Sequence, residues 1–554
     1  MIDNNINLVF PGNSKMKILR YINQSKHIYS ILNMCYTMES SGNIKTGGSS
    51  KKAIIAIAVV IVLIAAGVGT YFIITNHPTT TSKTVTITVA APVYSSSTNI
   101  WENFINNATA KWQQAHPNVV IKFVGPSDAS SEAQYYDKLD LMTSKASTAP
   151  DVMLEDMFYT ATYAHENVIA PLNSYMNSTE KNSFFPSALG QMEINGTIYG
   201  MPTQVTDTLI YYNMSLFQKA GIKTPWQPTS WADLLHTAME LKSNLSSING
   251  FVPMNIYTDT RGGEAASFTG FEGLLYGTGW GLYNFSSGQW YGNNPGLNAT
   301  LNFYKTAFVT DNLATVDLST TPYITTGQYL QEGKLGIAVD GSWMYGYQWA
   351  SGSHEIHNFT KYIGVAYIPT EFGQAPYYNS MVGGWGWAMY SGVSNKSLVY
   401  SFMQAMDNTT NQININLPGQ ALAGGLPATT SASSNPLFKN LMPNAPQLDT
   451  FYANALKYGS YRPPVSTYPT VSTALQAAMS DVVVGGKSVS SALSAYDSAL
   501  VTDFGSSKVQ IVTHPTVGPS FVISSVIHTG DSSARNIQSP TVRFYNNLYI
   551  ISKN

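Results

Sequence analysis

TVTITV at residues 84–89, NIWENFINNATAKWQQAH at 99–116 and VVIKFV at 119–124 decide the fold class of this chain. The first and third are β-branched, and the first alternates with period two, so both read as strands. Between them Ile100, Trp101, Phe104, Ile105, Ala108 and Trp112 recur at helical spacing, and His116-Pro117 ends that helix. A second helix is expected over 135–144 and a third strand over 150–154. Strand, helix, strand, helix, strand predicts an α/β architecture with a mainly parallel sheet.

Upstream, residues 53–74 read AIIAIAVVIVLIAAGVGTYFII, with no charge and no proline. At about 1.5 Å per residue such a helix crosses a hydrocarbon core of roughly 30 Å. Lys45, Lys51 and Lys52 precede it and no Lys or Arg follows in 75–82, so the positive-inside bias predicts one span with everything downstream outside the cell membrane. A cleaved secretory signal would have a shorter apolar core. Residues 1–52 read as a cytoplasmic leader or signal region, with Met16 and Met38 as alternative starts. SSKKAIIAIAVV resembles the pilin-like signals of archaeal surface proteins; a plain uncleaved anchor accounts for it equally well. NHPTTTSK at 76–83 is a polar linker.

The composition is that of an exported chain. Of 554 residues only 11% are charged, against about 25% in ordinary soluble proteins, and 35 tyrosines are present. So few titratable groups would suit an acid-bathed surface. The net charge of −2 offers no argument for nucleic acid. The single cysteine, Cys35, lies before the apolar run, so the exported part relies on core burial rather than disulfides. The exported part carries ten Asn-x-Ser/Thr sequons, at Asn107, Asn177, Asn195, Asn213, Asn244, Asn284, Asn298, Asn358, Asn395 and Asn408, as glycosylation candidates.

Several further segments carry a family resemblance. APDVMLED (149–156) followed by ENVIAPLNSYM (166–176), INGTIYGMPTQVTDTLIYYNMSLFQKAGI (194–222), GIKTPWQPTSWADLLHTAMELK (221–242), LQEGKLGIAVDGSW (330–343), KYIGVAYIPT (361–370), MVGGWGWAMYSGVSNKSLVYSFMQAM (381–406) and the helical stretch from Arg462 to Leu500 occur in one order. That order resembles the extracellular solute-binding proteins of ABC transporters, the maltose-binding-like branch. The resemblance covers roughly residues 84–501. It implies a two-lobe, periplasmic-binding-protein-like (type II) α/β fold with a hinge, preceded here by one N-terminal transmembrane helix. Lobe 1 would be 84–205 with 366–428, and lobe 2 would be 206–365 with 429–505. Pro202 and Pro369 stand at the two best crossings, where proline favours extended backbone. Ligand would sit between the lobes, outside the strand ends.

A sugar presents apolar C–H faces rimmed by hydroxyls, so a sugar cleft asks for aromatic plates and planar polar groups. Trp343, in the DGSW that follows the strand Leu335 to Val339, stands where the family often stacks a sugar ring. Core packing is the ordinary alternative for any Trp. Trp385 and Trp387 share a strand parity, and Trp385, nearer the Gly383-Gly384 turn, is the better candidate plate. Trp280 with Tyr276 is a candidate rim pair. For hydroxyl partners the resemblance and the polar chemistry point to Glu155 and Asp156 after the strand, Asp207 on the crossing, Asp340, Arg462, which can fork onto a hydroxyl pair or a carboxylate, and Tyr94.

Enzyme signatures fail. HEIH at 354–357 is one residue short of the HExxH zinc helix, GGKS at 485–488 lacks the first glycine of a phosphate loop, GTGWG at 277–281 lacks dinucleotide spacing, and no GxSxG occurs. Adjacent Glu155 and Asp156 cannot form a glycosidase's separated pair. No catalytic group, metal or cofactor is expected. The reading is an extracellular sugar or oligosaccharide receptor delivering ligand to ABC permease subunits, with no nucleic-acid partner. A cell-surface glycoside hydrolase, or a receptor for a non-sugar ligand such as a peptide, is the alternative. Residues 506–554 form an extension, with VQIVTH, FVISSVI and VRFYNNLYIIS as candidate short strands.

Overall fold

Two long strands organise the molecule. In the computed structural model, which describes residues 84–92, 98–125, 132–321, 323–350, 355–417, 420–422, 424–439 and 448–512, β4 (Gly200–Asn213) is buried at every position and β8 (Tyr378–Met389) at nearly every one. These residues belong to one compact unit. Further strands of the main sheet are β1 (Val85–Ala90), β2 (Val119–Phe123), β3 (Val152–Asp156), β5 (Val252–Asn255), β6 (Leu335–Gly341) and β7 (Ile363–Ala366). The sheet runs β2-β1-β3-β8-β4-β6-β5.

Its outer parts are parallel, β1 with β2 and β3, and β5 with β6. Within that order the two long strands run antiparallel to each other and to β3 and β6. The expected mainly parallel sheet is thus correct at both flanks and wrong at the centre. There, strands that serve both halves must run out and back.

The switch between halves is visible in the register. Residues 200–207 of β4 pair with β8, and Thr208 onward pairs with β6 and β7. The partner change falls at Asp207/Thr208. Pro202 lies inside β4 opposite Gly386, beside a register shift, and Pro369 lies in the two-residue strand Ile368–Pro369. A continuous hydrogen-bonded strand carries the chain across, the extended backbone that proline favours.

Each half has its own core. Helix α1 (Thr98–Ala115) buries Trp101, Phe104 and Ile105 against β8, where Trp101 meets the wholly buried Trp387 edge-on at 6.1 Å. In the other half, α2 (Trp231–Asn244) starts at Ser230, whose Oγ accepts from the Asp233 N–H (3.2 Å), while an Asp233 carboxylate oxygen accepts from the Thr229 N–H (2.8 Å). It buries Trp231, Leu234, Ala238 and Leu241 in a core shared with α3 (Tyr468–Val483) and α4 (Val489–Phe504).

Residues of two of the enzyme-like motifs make local structural contacts. Ser488 of GGKS caps α4 and Lys487 pairs with Asp481 (2.9 Å). His357 faces Glu355 (3.0 Å). Of the extension, Val509–Gln510 adds a parallel strand to Gln289–Tyr291, so its first predicted strand exists. Residues 513–554, the linker 76–83 and the apolar run 53–74 lie outside the described residues. Among the described residues no helix is long and apolar enough to cross a membrane.

Candidate functional site

Beyond β5 the chain makes a tight loop at Asp259, with φ 62° and ψ 170°, a region in which glycine alone is at ease. The strained residue is held by its own side chain. One carboxylate oxygen accepts the Arg261 N–H (2.7 Å), and the other accepts Arg261 Nη2 (3.0 Å) and Nε (3.3 Å). Asp259 is 1% exposed, whereas the Arg261 side chain is half-exposed and fixed beside it. The outer edge of the guanidinium stays open, with Asp317 only at 4.0 Å.

Across from it, β6 ends at Gly341 and the chain turns into a helical segment at Trp343. The indole doubles back over Gly341, where an added Cβ would lie 2.1 Å from the ring. Only glycine permits that pose. Tyr257 donates to Asp340 Oδ2 (3.0 Å), and the Gly341 N–H donates to Oδ1 (2.8 Å). Burial pushes the Asp340 carboxyl up to about 7, although both hydrogen bonds oppose the rise.

Trp343, Tyr257, Arg261, Gly262, Ala265, Thr269, Thr320 and Thr321 enclose a cavity of about 230 Å³. Drug-sized ligands take roughly 300–1,000 Å³, so this volume suits one small ring. An aromatic plate, a fixed guanidinium edge and threonine hydroxyls can stack an apolar face and hydrogen-bond a polar rim. Elsewhere, an open depression over Asn177, Glu180 and Gln404 has no aromatic wall.

Arg462 is not presented to a ligand. It is 3% exposed, with Nη1 on Glu264 (2.9 Å), Nη2 on Asp156 (2.8 Å), and its guanidinium between the rings of Phe158 (4.6 Å) and Phe268 (4.3 Å). Gly383 makes room, since a Cβ there would lie 3.0 Å from Nη2. The next glycine is also crowded by protein: at Gly384 a Cβ would lie 2.1 Å from the Gln204 carbonyl.

The acids expected in a loop after the third strand lie inside it, because β3 runs on to Asp156. Asp156 is committed to Arg462, and Glu155, wholly buried, takes the Thr160 hydroxyl (2.8 Å). Burial lifts Glu155 to about 8. Asp207 is 1% exposed, and burial raises its pKa well above the usual range, with Ser342 opposing only in part.

Trp280 is in the core, edge-on to Tyr291 at 5.5 Å, and does not form a rim. Tyr276 donates to the Tyr461 carbonyl (3.5 Å). Trp385, half-buried, stands opposite Asp156 across the strands, away from the Trp343 cavity. Tyr94 lies outside the described residues. Of the sequons, Asn213 is buried, its amide donating to the Leu330 carbonyl (2.7 Å) as it caps a helix, so it is closed to a glycan. Of the predicted ligand residues, the structure thus brings Trp343 to the cavity and sets Asp340 behind it.

Tyr257, Arg261, Thr269, Thr320 and Thr321 were not singled out by sequence. The signal was Asp259-Thr260-Arg261-Gly262-Gly263, an Asp-x-Arg step with two glycines just past a strand end.

With the geometry in place, comparisons with known proteins add a family. The model of the bacterial extracellular solute-binding proteins matches residues 94–413. A binding protein of Brucella abortus (strain 2308) is 32% identical over 98 residues, 18% of this chain and 23% of that protein. The match thus spans about a quarter of that relative's length. Among solved structures, the GacH receptor of Streptomyces glaucescens GLA.O superimposes with TM-score 0.60 at 20% identity, over 76% of this chain and 98% of that one. Maltose-bound MalE3 of T. maritima does so with TM-score 0.60 at 18% identity, over 76% and 100%.

Proposed function

We propose a role that proceeds from a plain premise: this chain belongs to the bacterial extracellular solute-binding protein family. We infer that it is the sugar or oligosaccharide receptor of an ABC transporter, passing its ligand to permease subunits. The observation that carries this is the Trp343 cavity, in which an indole plate, the outer edge of Arg261 and threonine hydroxyls converge on a ring-sized space. The similar solved proteins were studied with acarbose and maltose, which is consistent with that chemistry. The cavity is almost neutral, since Arg261 is matched by Asp259 and Asp340 is pushed toward its neutral form. A neutral polyhydroxylated ligand suits it.

The lobes are 84–205 with 366–428, and 206–365 with 429–505; the change of strand partners at Asp207/Thr208 supports the first boundary. Residues 53–74 anchor the receptor as a single-pass helix of the kind found on archaeal cell surfaces, leaving the binding lobes outside. The exposed sequons, Asn107, Asn177, Asn195, Asn244, Asn298, Asn358, Asn395 and Asn408, and the half-exposed Asn284, are the positions open to glycans.

A panel of radiolabelled mono- and oligosaccharides, followed by equilibrium dialysis and product analysis, tests the function. Saturable retention of an unchanged sugar is the expected result. Turnover, or retention of peptides alone, would replace this reading. For the anchor, protein from native membranes should partition with detergent. Recovery of the mature chain in the soluble extracellular fraction would count against retention.

A further inference from the structure

Arg462 joins elements from both halves of the sheet, and nothing in the ligand chemistry above uses it. Asp156 is the last residue of β3, whose partners are β1 and β8. Glu264 lies on the loop beyond β5, the same loop that supplies Tyr257, Arg261 and Ala265 to the cavity. Arg462 stands between these acids on the segment leading into α3. The contact is reinforced nearby: the Thr162 hydroxyl donates to the Ser466 carbonyl (3.0 Å), and Phe158 meets Tyr468 edge-on at 6.0 Å.

We propose that Arg462 is an interlobe strut, a positioning residue that ties the cavity-lining loop through Glu264 to the first lobe through Asp156. It rests on the two-lobe receptor reading for the motion it restrains, but not on the identity of the ligand. The geometry suits a strut better than a surface ion pair. A planar guanidinium has two prongs and two faces; here the prongs hold one acid from each half and the faces hold one phenyl ring from each half. Breaking a buried pair leaves an uncompensated charge, so the tie resists gradual loosening and holds or releases as a unit. Lobe separation must break the Asp156 prong and withdraw Phe158. Movement of the first lobe is thereby felt at Glu264, three residues from Arg261 in the cavity wall.

The test reads lobe separation directly in the full chain, without ligand. Cys35→Ser removes the native thiol, and Glu102→Cys on α1 with Asn302→Cys on the helix Pro295–Tyr304 places spin labels at exposed positions on the two lobes. Pulsed dipolar spectroscopy should show one dominant distance in this background. Arg462→Gln should raise the longer-distance population about tenfold, with Arg462→Lys in between because an ammonium cannot fork to both acids. A folded Arg462→Gln protein with an unchanged distance distribution overturns the proposal. If Arg462→Gln does not fold, Asp156→Asn, which cuts only the first-lobe prong, decides by the same criterion. A failed sugar screen would leave the distance result standing, so the two failures are distinguishable.

Discussion

Trp343→Ala weakens sugar binding by about tenfold to a hundredfold, the equivalent of roughly 1–3 kcal/mol of lost stacking and covered area. The residue lines the cavity, is half-buried, and packs against the neighbouring core as one of its partly buried members. Its removal should therefore cost less stability than the roughly 3–5 kcal/mol of a fully enclosed tryptophan. Trp387, wholly buried against Trp101, is the internal control, since Trp387→Ala should pay that full cost. Affinity by titration calorimetry and melting temperature, measured on the same preparations, separate the cases. A large fall in melting with affinity intact would return Trp343 to the core and remove the main support for a sugar ligand.

The second large effect is on pH. The protein should be more stable at pH 4 than at pH 8, opposite to the usual acid lability. Glu155 and Glu272 are wholly buried, and each has one carboxylate oxygen without a partner. Burial lifts both from an ordinary value of 4.5 to about 8, the Thr160 and Tyr468 hydroxyls opposing only in part. A carboxyl with a raised folded pKa holds a proton that the unfolded chain releases. Its stabilising contribution is complete below about pH 4, falls as pH rises past 4.5, and is gone above about 8.

Each of the two glutamates should cost on the order of 4 kcal/mol across that interval. Thermal denaturation from pH 4 to 8 checks this, with Glu155→Gln and Glu272→Gln each flattening the slope. A melting temperature that is constant or rises toward pH 8 would refute it. The 11% charged composition agrees in sense with a surface adapted to acid, but the decisive groups are inside.

What could be read from sequence was what depends on neighbours along the chain. Alternation in TVTITV and helical spacing from Ile100 to Trp112 appear where expected, because a strand and an amphipathic helix bury one face whatever lies opposite. The ordered segments from APDVMLED to the closing helices identified the family and, with it, two lobes. Asp340-Gly341-Ser342-Trp343 could be set at a strand end from sequence, and the indole there folds back over Gly341. Tertiary structure alone decided the partners. Arg462 meets Asp156 across 306 positions and Glu264 across 198, so no spacing rule could show that its charge is spent inside the protein. Asp259 and Arg261 are close in sequence, yet only the strained backbone and the facing Trp343 reveal a cavity wall. Trp280 and Trp343 look equally exposed in a string of letters. One is enclosed by the packing of Tyr291 and the other is not, and enclosure depends on the whole surrounding fold.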